Sequence, residues 1–143
     1  MLLTLIIIII LASAISDLIY MRIPNVITIP GMVVAMSWYG LSLGVVGLIF
    51  SGLGLVIGVA VFLPFYLMGG MGAGDVKLMG AVGALLGPTD LFYCILFVAV
   101  VGGIYALIQM VRFLWGKNAH REKPVLRYGL AIGLGTSLFL YTR

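Results

Sequence analysis

Apolar residues fill this chain in long runs, broken only by short steps that carry glycine, proline or charge. That pattern restricts the backbone more than any single motif does. In an apolar surround every N–H and C=O must be satisfied within its own segment, which leaves helices as the economical solution. The runs cover residues 1–16, 30–47, 52–68, 76–86, 91–114 and 128–141, with turn signals between them. Hydrophobic residues make up 64% of the 143 and charged residues 8%, so the composition is that of a membrane protein and not of a water-soluble domain. The expected fold is all-α, a polytopic membrane bundle of about six transmembrane helices, forming one domain over residues 1–143. The fourth and sixth runs are short, which suits a thin, tilted or partly water-accessible bundle. The first run resembles a signal-peptide core ending at Ala12-Ser13-Ala14, but it lacks a basic start and stays apolar through Ile19, so it is read as a retained helix.

Orientation follows from the basic residues. Arg22, Lys77, Arg112, Lys117, Arg121, Lys123 and Arg127 all fall beside the connections after runs one, three and five, whereas Arg143 falls on the other side. The positive-inside rule therefore assigns those connections to the cytoplasm, with Asp17 and Asp75 on that face and Asp90 opposite. The net charge of +4 is explained by this clustering beside apolar segments, where lysine and arginine meet anionic lipid headgroups, and no nucleic-acid partner is expected. Cys94 is the only cysteine and lies within an apolar run, so neither a disulfide nor a thiolate metal site is available.

Glycines spaced by four, at Gly40/Gly44, Gly54/Gly58, Gly83/Gly87 and Gly129/Gly133, are expected to let helix backbones approach closely. The cluster Gly69, Gly70, Gly72 and Gly74 differs, because it precedes Asp75 directly and suits a backbone with positive φ that another chain can approach. It follows an apolar helix and ends in a carboxylate, so it is not a phosphate loop.

The chain has only four acidic residues, and two of them, Asp17 and Asp75, stand at the ends of apolar helices on the same predicted face. Carboxylates are expensive near hydrocarbon, and their retention there points to chemistry, transport or a fixed partner. Two of them meeting would suit amide hydrolysis. One takes a proton from water while the other, still protonated, polarises the carbonyl, and the pair shares a single proton. Asp75 at a helix amino end meets a field that favours its charge, and Asp17 at a carboxyl end meets the reverse, so Asp17 is expected to hold the shared proton more often. His120 stands without a spaced partner and no serine lies in a nucleophile-elbow context, so no metal or other cofactor is expected.

These residues also resemble a family. Gly72-Ala73-Gly74-Asp75-Val76-Lys77-Leu78 matches the GxGDxKL block of the type IV prepilin leader peptidases, which are GxGD intramembrane aspartyl proteases. Asp17 followed by Arg22-Ile23-Pro24-Asn25 is similar to the family's first-aspartate block, and residues 127–132 are similar to a weaker third block whose proline is displaced here to Pro124. The resemblance implies Asp17 and Asp75 as the catalytic pair, with Gly72, Gly74, Lys77, Arg22 and Asn25 as supporting or substrate-approach residues. It implies a prepilin or prepilin-like substrate with a short basic leader, cut after a glycine at the cytoplasmic membrane face. The zinc-binding cysteines of larger members are absent, which matches the short branch associated with tight-adherence pili and implies peptidase activity without N-methyl transfer. A helical peptide bond is shielded, so the substrate is expected to unwind locally and pair with the glycine loop. Two other readings compete: a small transporter or channel subunit using the carboxylates for protons or cations, and an assembly scaffold of glycine-rich helices.

Overall fold

In the computed structural model, the described residues are 2–20, 25–115 and 128–142, and they form helices without strands. The elements are α1 (Leu2–Tyr20), α2 (Asn25–Leu67), α3 (Ala73–Trp115) and α4 (Tyr128–Thr142). Arg22, Pro24, His120, Pro124 and most of the basic connection before α4 lie outside the described residues, as do the side chains of Asp17 and Gln109. Two stretches, Asn25–Leu67 and Ala73–Ile108, are long and apolar enough to cross a membrane, and Ala131–Thr142 is a shorter apolar helix.

Both long helices are folded back on themselves. Gly44 has φ 62° and ψ −141°, and Gly87 has φ 74° and ψ 175°; both lie outside helical space, in conformations that glycine alone adopts readily. Residues eight apart in a continuous helix are separated by about 12 Å. Yet a Cβ on Gly40 would lie 3.0 Å from the Leu48 side chain, and one on Gly83 would lie 3.0 Å from that of Leu91. The two reversals thus share one device. A first glycine admits a leucine from the returning arm, and a second, four residues later, makes the turn.

In two of the four glycine pairs expected to pack helices the second member has a different use, since Gly44 and Gly87 are turns, whereas Gly83 packs against Gly54 as expected. The first turn lies at Gly44 instead of within residues 48–51, because positive φ is what the reversal requires there. At Gly87 the following Pro88 reinforces the break by excluding the helical region for the residue before it.

The returning arm of α2 packs against the first arm of α3 with almost no side chain between them. A Cβ on Gly54 would strike the Gly83 carbonyl oxygen, and one on Gly58 would strike that of Met79. Helices without a hydrophobic drive for association gain from this approach through van der Waals contact along the backbone. Polar ties bind both arms of α2 to the same stretch of α3: Ser51 Oγ, on the returning arm, donates to Ala84 O at 2.8 Å, and Tyr39 OH, on the first arm, donates to Leu85 O at 3.1 Å. Phe50 covers Gly87, and its ring stands 5.4 Å from that of Tyr39. Around this seam lies a core of Leu78, Met79, Val82, Leu85 and Leu91, all buried.

Helix α4 lies antiparallel to the second arm of α3, with a Cβ on Gly135 falling 2.7 Å from Val98 Cα. Cys94 donates its S–H to Thr136 Oγ1 at 3.4 Å, and Thr136 donates in turn to Ile132 O at 2.8 Å. Cys94 is thus a buried packing residue.

This seam predicts a sharp contrast. Gly54→Leu should lower stability by at least about 1–3 kcal/mol through overpacking against backbone that has nowhere to move. Gly52→Ala, two positions away and open on its Cβ side, should cost nothing and gain up to about 1 kcal/mol, since alanine is the better helix former. Thermal unfolding of the detergent-solubilised variants would measure both.

Candidate active site

The loop between α2 and α3 is built for a sharp change of direction. Helix α2 ends in a Schellman motif: Gly69 has φ 74°, its N–H reaches Tyr66 O at 2.9 Å, and the Gly70 N–H reaches Phe65 O at 3.0 Å. Helix α3 then begins at Ala73 with Gly72 as the preceding cap position. The Gly72 N–H donates to Asp75 Oδ2 at 3.2 Å, and the Asp75 N–H donates to Gly72 O at 3.1 Å. This is the acidic half of a capping box, in which the third helical residue reaches back to the first orphan donor.

Asp75 is only 7% exposed, so its carboxyl group sits at the amino end of a helix yet largely out of water. A Cβ on Gly72 would stand 3.3 Å from Asp75 Oδ2, so the glycine keeps the carboxylate's approach open. Gly74 lies in the same first turn and is half-buried. Positive φ is confined within this loop to Gly69. The N–H groups of Gly69, Gly70, Gly72 and Asp75 already donate within the chain, so a strand pairing with the loop cannot rely on those four donors.

Lys77 is exposed, and its Nζ donates to Asn25 Oδ1 at 2.9 Å, 52 residues away. The bond joins the first residue of α2 to the first turns of α3, and it brings together one residue from each of the two sequence blocks. It also fixes direction, since the amino ends of α2 and α3 lie at the same end of the bundle.

The end of α1 can be placed by similar reasoning. A Cβ on Gly31 would lie 2.5 Å from Ile9 Cδ1 and 4.0 Å from Ala81 Cβ, so Ile9, Gly31 and Ala81 mark one layer. At about 1.5 Å per residue, Tyr20 lies about 16 Å from that layer and Asn25 about 9 Å. Five Cα–Cα steps span at most about 19 Å, so the two must lie on the same side of it. Helix α1 therefore runs towards the end that holds Asp75. Asp17 falls about 12 Å beyond the layer and Asp75 about 9 Å beyond it, so the backbones of the two acids stand at nearly one depth.

Sequence reading placed Asp17 just outside a helix. It lies instead within the last turn of α1, because Leu18, Ile19 and Tyr20 continue the helix. Two hydroxyls that sequence reasoning did not single out lie between the layer and the acids: Ser13 and Thr28 are fully buried and their side-chain oxygens have no hydrogen-bond partner among the described residues. The signal for Ser13 was available, since it stands four residues before Asp17 and so on the same helix face. Asp90, in contrast, follows the Gly87 reversal at the far end of the first arm of α3.

Beside the loop lies an apolar cavity of about 310 Å³ lined by Phe62, Phe65, Met71, Val98, Gly102 and Ala131, among others. Met71 belongs to the loop itself. A Cβ on Gly103 would meet nothing within 4 Å, and one on Gly102 would meet only Ala131 Cβ at 3.8 Å. These glycines differ from Gly54 and Gly58, whose missing side chains are accounted for by contacts inside the bundle.

No curated protein and no solved structure matches the chain. A family model does match, that of the type IV leader peptidase family, over residues 4–107. The matched stretch contains Asp17, Asn25, the glycine loop, Asp75 and Lys77, and it ends before the third block at residues 127–132. With most of its length matched, and with the matched blocks drawn to one end of an apolar helical bundle, the chain belongs to the type IV leader peptidase family, a family of membrane proteases.

Proposed function

We propose that the protein is an intramembrane aspartyl endopeptidase, with Asp17 and Asp75 as its catalytic pair, that removes a short basic leader from a prepilin or prepilin-like substrate at the cytoplasmic face. The observation that carries this reading is the depth of the two acids, which α1 and α3 bring to one end of the bundle although 58 positions separate them in sequence. In the reaction, one carboxylate takes a proton from water as the oxygen attacks the scissile carbonyl, while the protonated partner donates to the carbonyl oxygen. Collapse of the tetrahedral intermediate returns a proton to the leaving amine. The cycle is balanced by the two carboxyl groups and one water. The buried hydroxyls of Ser13 and Thr28 give that water a polar foothold beneath the acids.

In this reading the helical arms are membrane crossings, six in all, with reversals at Gly44 and Gly87 on the outer side. The first arm of α3, residues 73–86, is about 21 Å long, against about 30 Å of hydrocarbon. Asp75 then lies below the membrane surface, at the level where a substrate's apolar segment begins. The apolar cavity beside Met71 gives that segment a seat against the glycine loop. Peptidase activity without methyl transfer completes the proposal.

Asp17→Asn and Asp75→Asn should each abolish cleavage, by about a thousandfold or more, since an acid–base group typically supplies ~10²–10⁴. Asp90→Asn should stay active. The assay is leader removal from a purified prepilin in detergent, read as a mobility shift, and full processing by either of the first two variants would refute the assignment.

Capping and catalysis by Asp75 separate cleanly. An asparagine oxygen can still accept the Gly72 N–H, so Asp75→Asn should keep its thermal midpoint, whereas Asp75→Ala should lose roughly 1 kcal/mol as the cap is removed. Topology has its own check. Cysteines placed at Gly70 and Thr89 in a Cys94→Ser background should react with impermeant thiol reagents from opposite faces of the membrane, Gly70 from the cytoplasm.

A further inference from the structure

We propose that Lys77 and Asn25 form a positioning latch, which sets the end of α1 and the start of α2 against the Asp75 helix, and that neither side chain contacts the substrate. The proposal rests on the reading of Asp17 and Asp75 as the catalytic pair, and it assigns the work of holding their separation.

Three observations lead to it. Lys77 stands two positions after Asp75, and side chains two apart on a helix point to different faces. Its ammonium is directed to Asn25 Oδ1 at 2.9 Å, so its charge is committed across the helix interface to an amide and not to the neighbouring acid. Next, among the described residues the first turn of α2 packs lightly, its contact with the core beginning at Ile27. Val26 is 82% exposed, and the first fully buried residue of α2 is Thr28. Finally, Asn25 opens α2 only eight positions after Asp17, so the start of α2 and the end of α1 are close neighbours along the chain. In contrast, α3 is fixed by the glycine seam on its first arm. The bond therefore ties the weakly held element to the firmly held one, at the level where the acids must meet.

The latch differs in its consequences from the two obvious uses of a lysine near a catalytic acid. A substrate contact would act on KM, and a charge acting on Asp75 would move the acid limb of the pH–rate profile. A positioning pair acts on the geometry of the transition state, so its loss falls on kcat.

The test uses the full-length chain in proteoliposomes, with a purified prepilin as substrate. Lys77→Met, Asn25→Ala and the double variant should each lower kcat by about ten- to a hundredfold, with KM nearly unchanged. The double variant should be no worse than the poorer single one, because both remove the same bond. Lys77→Arg keeps a donor and should recover most of the rate, and the pH limbs should stay in place in every variant. Spin labels at Ile15→Cys and Ala73→Cys, in a Cys94→Ser background, should give a narrow distance distribution that broadens on Lys77→Met. A rise in KM at constant kcat, a shifted acid limb, multiplicative losses, or an unbroadened distance distribution in a slowed variant would each overturn the latch. Cleavage by Asp75→Asn would instead sink the underlying aspartyl reading, and the label distances would still judge the latch. If Lys77→Met fails to fold, Asn25→Ala with the same label pair carries the test, and a narrow distance distribution in that variant would count against the proposal.

Discussion

The approach of two backbones at Gly54, Gly58, Gly83 and Met79 is the contact on which the remaining arrangement depends. Side chains at Gly54, Gly58 and Gly83 would separate the second arm of α2 from the first arm of α3 by several ångströms. Everything that positions Asp75 is attached to that pair of arms. The loop carrying the acid joins them, the Schellman motif ends one, and the capping interaction begins the other. A membrane bundle cannot expel water from between helices already surrounded by lipid, so close contact takes over much of the stabilising role that apolar burial has in water. Ser51 adds a hydrogen bond to the same seam and Tyr39 ties the first arm of α2 beside it, and their carbonyl acceptors on Ala84 and Leu85 lie just before the turn at Gly87.

Much of this was legible in the sequence, and what was not has a definite cause. The apolar runs announced helices because hydrocarbon leaves the backbone no cheaper structure. The Gly72–Asp75 segment was legible as a helix start because a carboxylate near the first turn meets unpaired N–H groups. Spacing by four in Gly40/Gly44 and Gly83/Gly87 carried an ambiguity, since both a packing groove and a turn demand the absence of a side chain. Only the φ values at Gly44 and Gly87 distinguish them. Sequence placed the first reversal in residues 48–51, where Ser51 and Gly52 look like turn residues. Ser51 is instead a buried donor on the seam, a role that depends on Ala84 across the interface and so leaves no local trace.

The pairing of Asn25 with Lys77 was invisible for the same reason. Each residue read plausibly alone, Asn25 as a turn former and Lys77 as an anchor at the membrane surface. Their bond is a fact about two helices 52 positions apart, and it changes what both residues do. The hydroxyls of Ser13 and Thr28 form an intermediate case, because their helix faces follow from periodicity while their burial depends on the partners opposite.

An aspartate that caps a helix and an aspartate that performs chemistry are usually weighed as rivals, but under the proposed mechanism Asp75 would serve as both. Hydrolysis by paired carboxylates requires that each be held in a fixed direction before substrate arrives, because orientation supplied at the moment of reaction would raise the barrier. A flexible side chain at a membrane boundary has no apolar wall of its own to fix it. The N–H of Gly72 supplies the constraint by holding Oδ2 against the first turn of α3, and glycine is the residue that leaves this approach uncrowded. A cap of this kind lets one short segment, Gly72 to Asp75, end a loop, begin a helix and aim a reactive group with the same two hydrogen bonds.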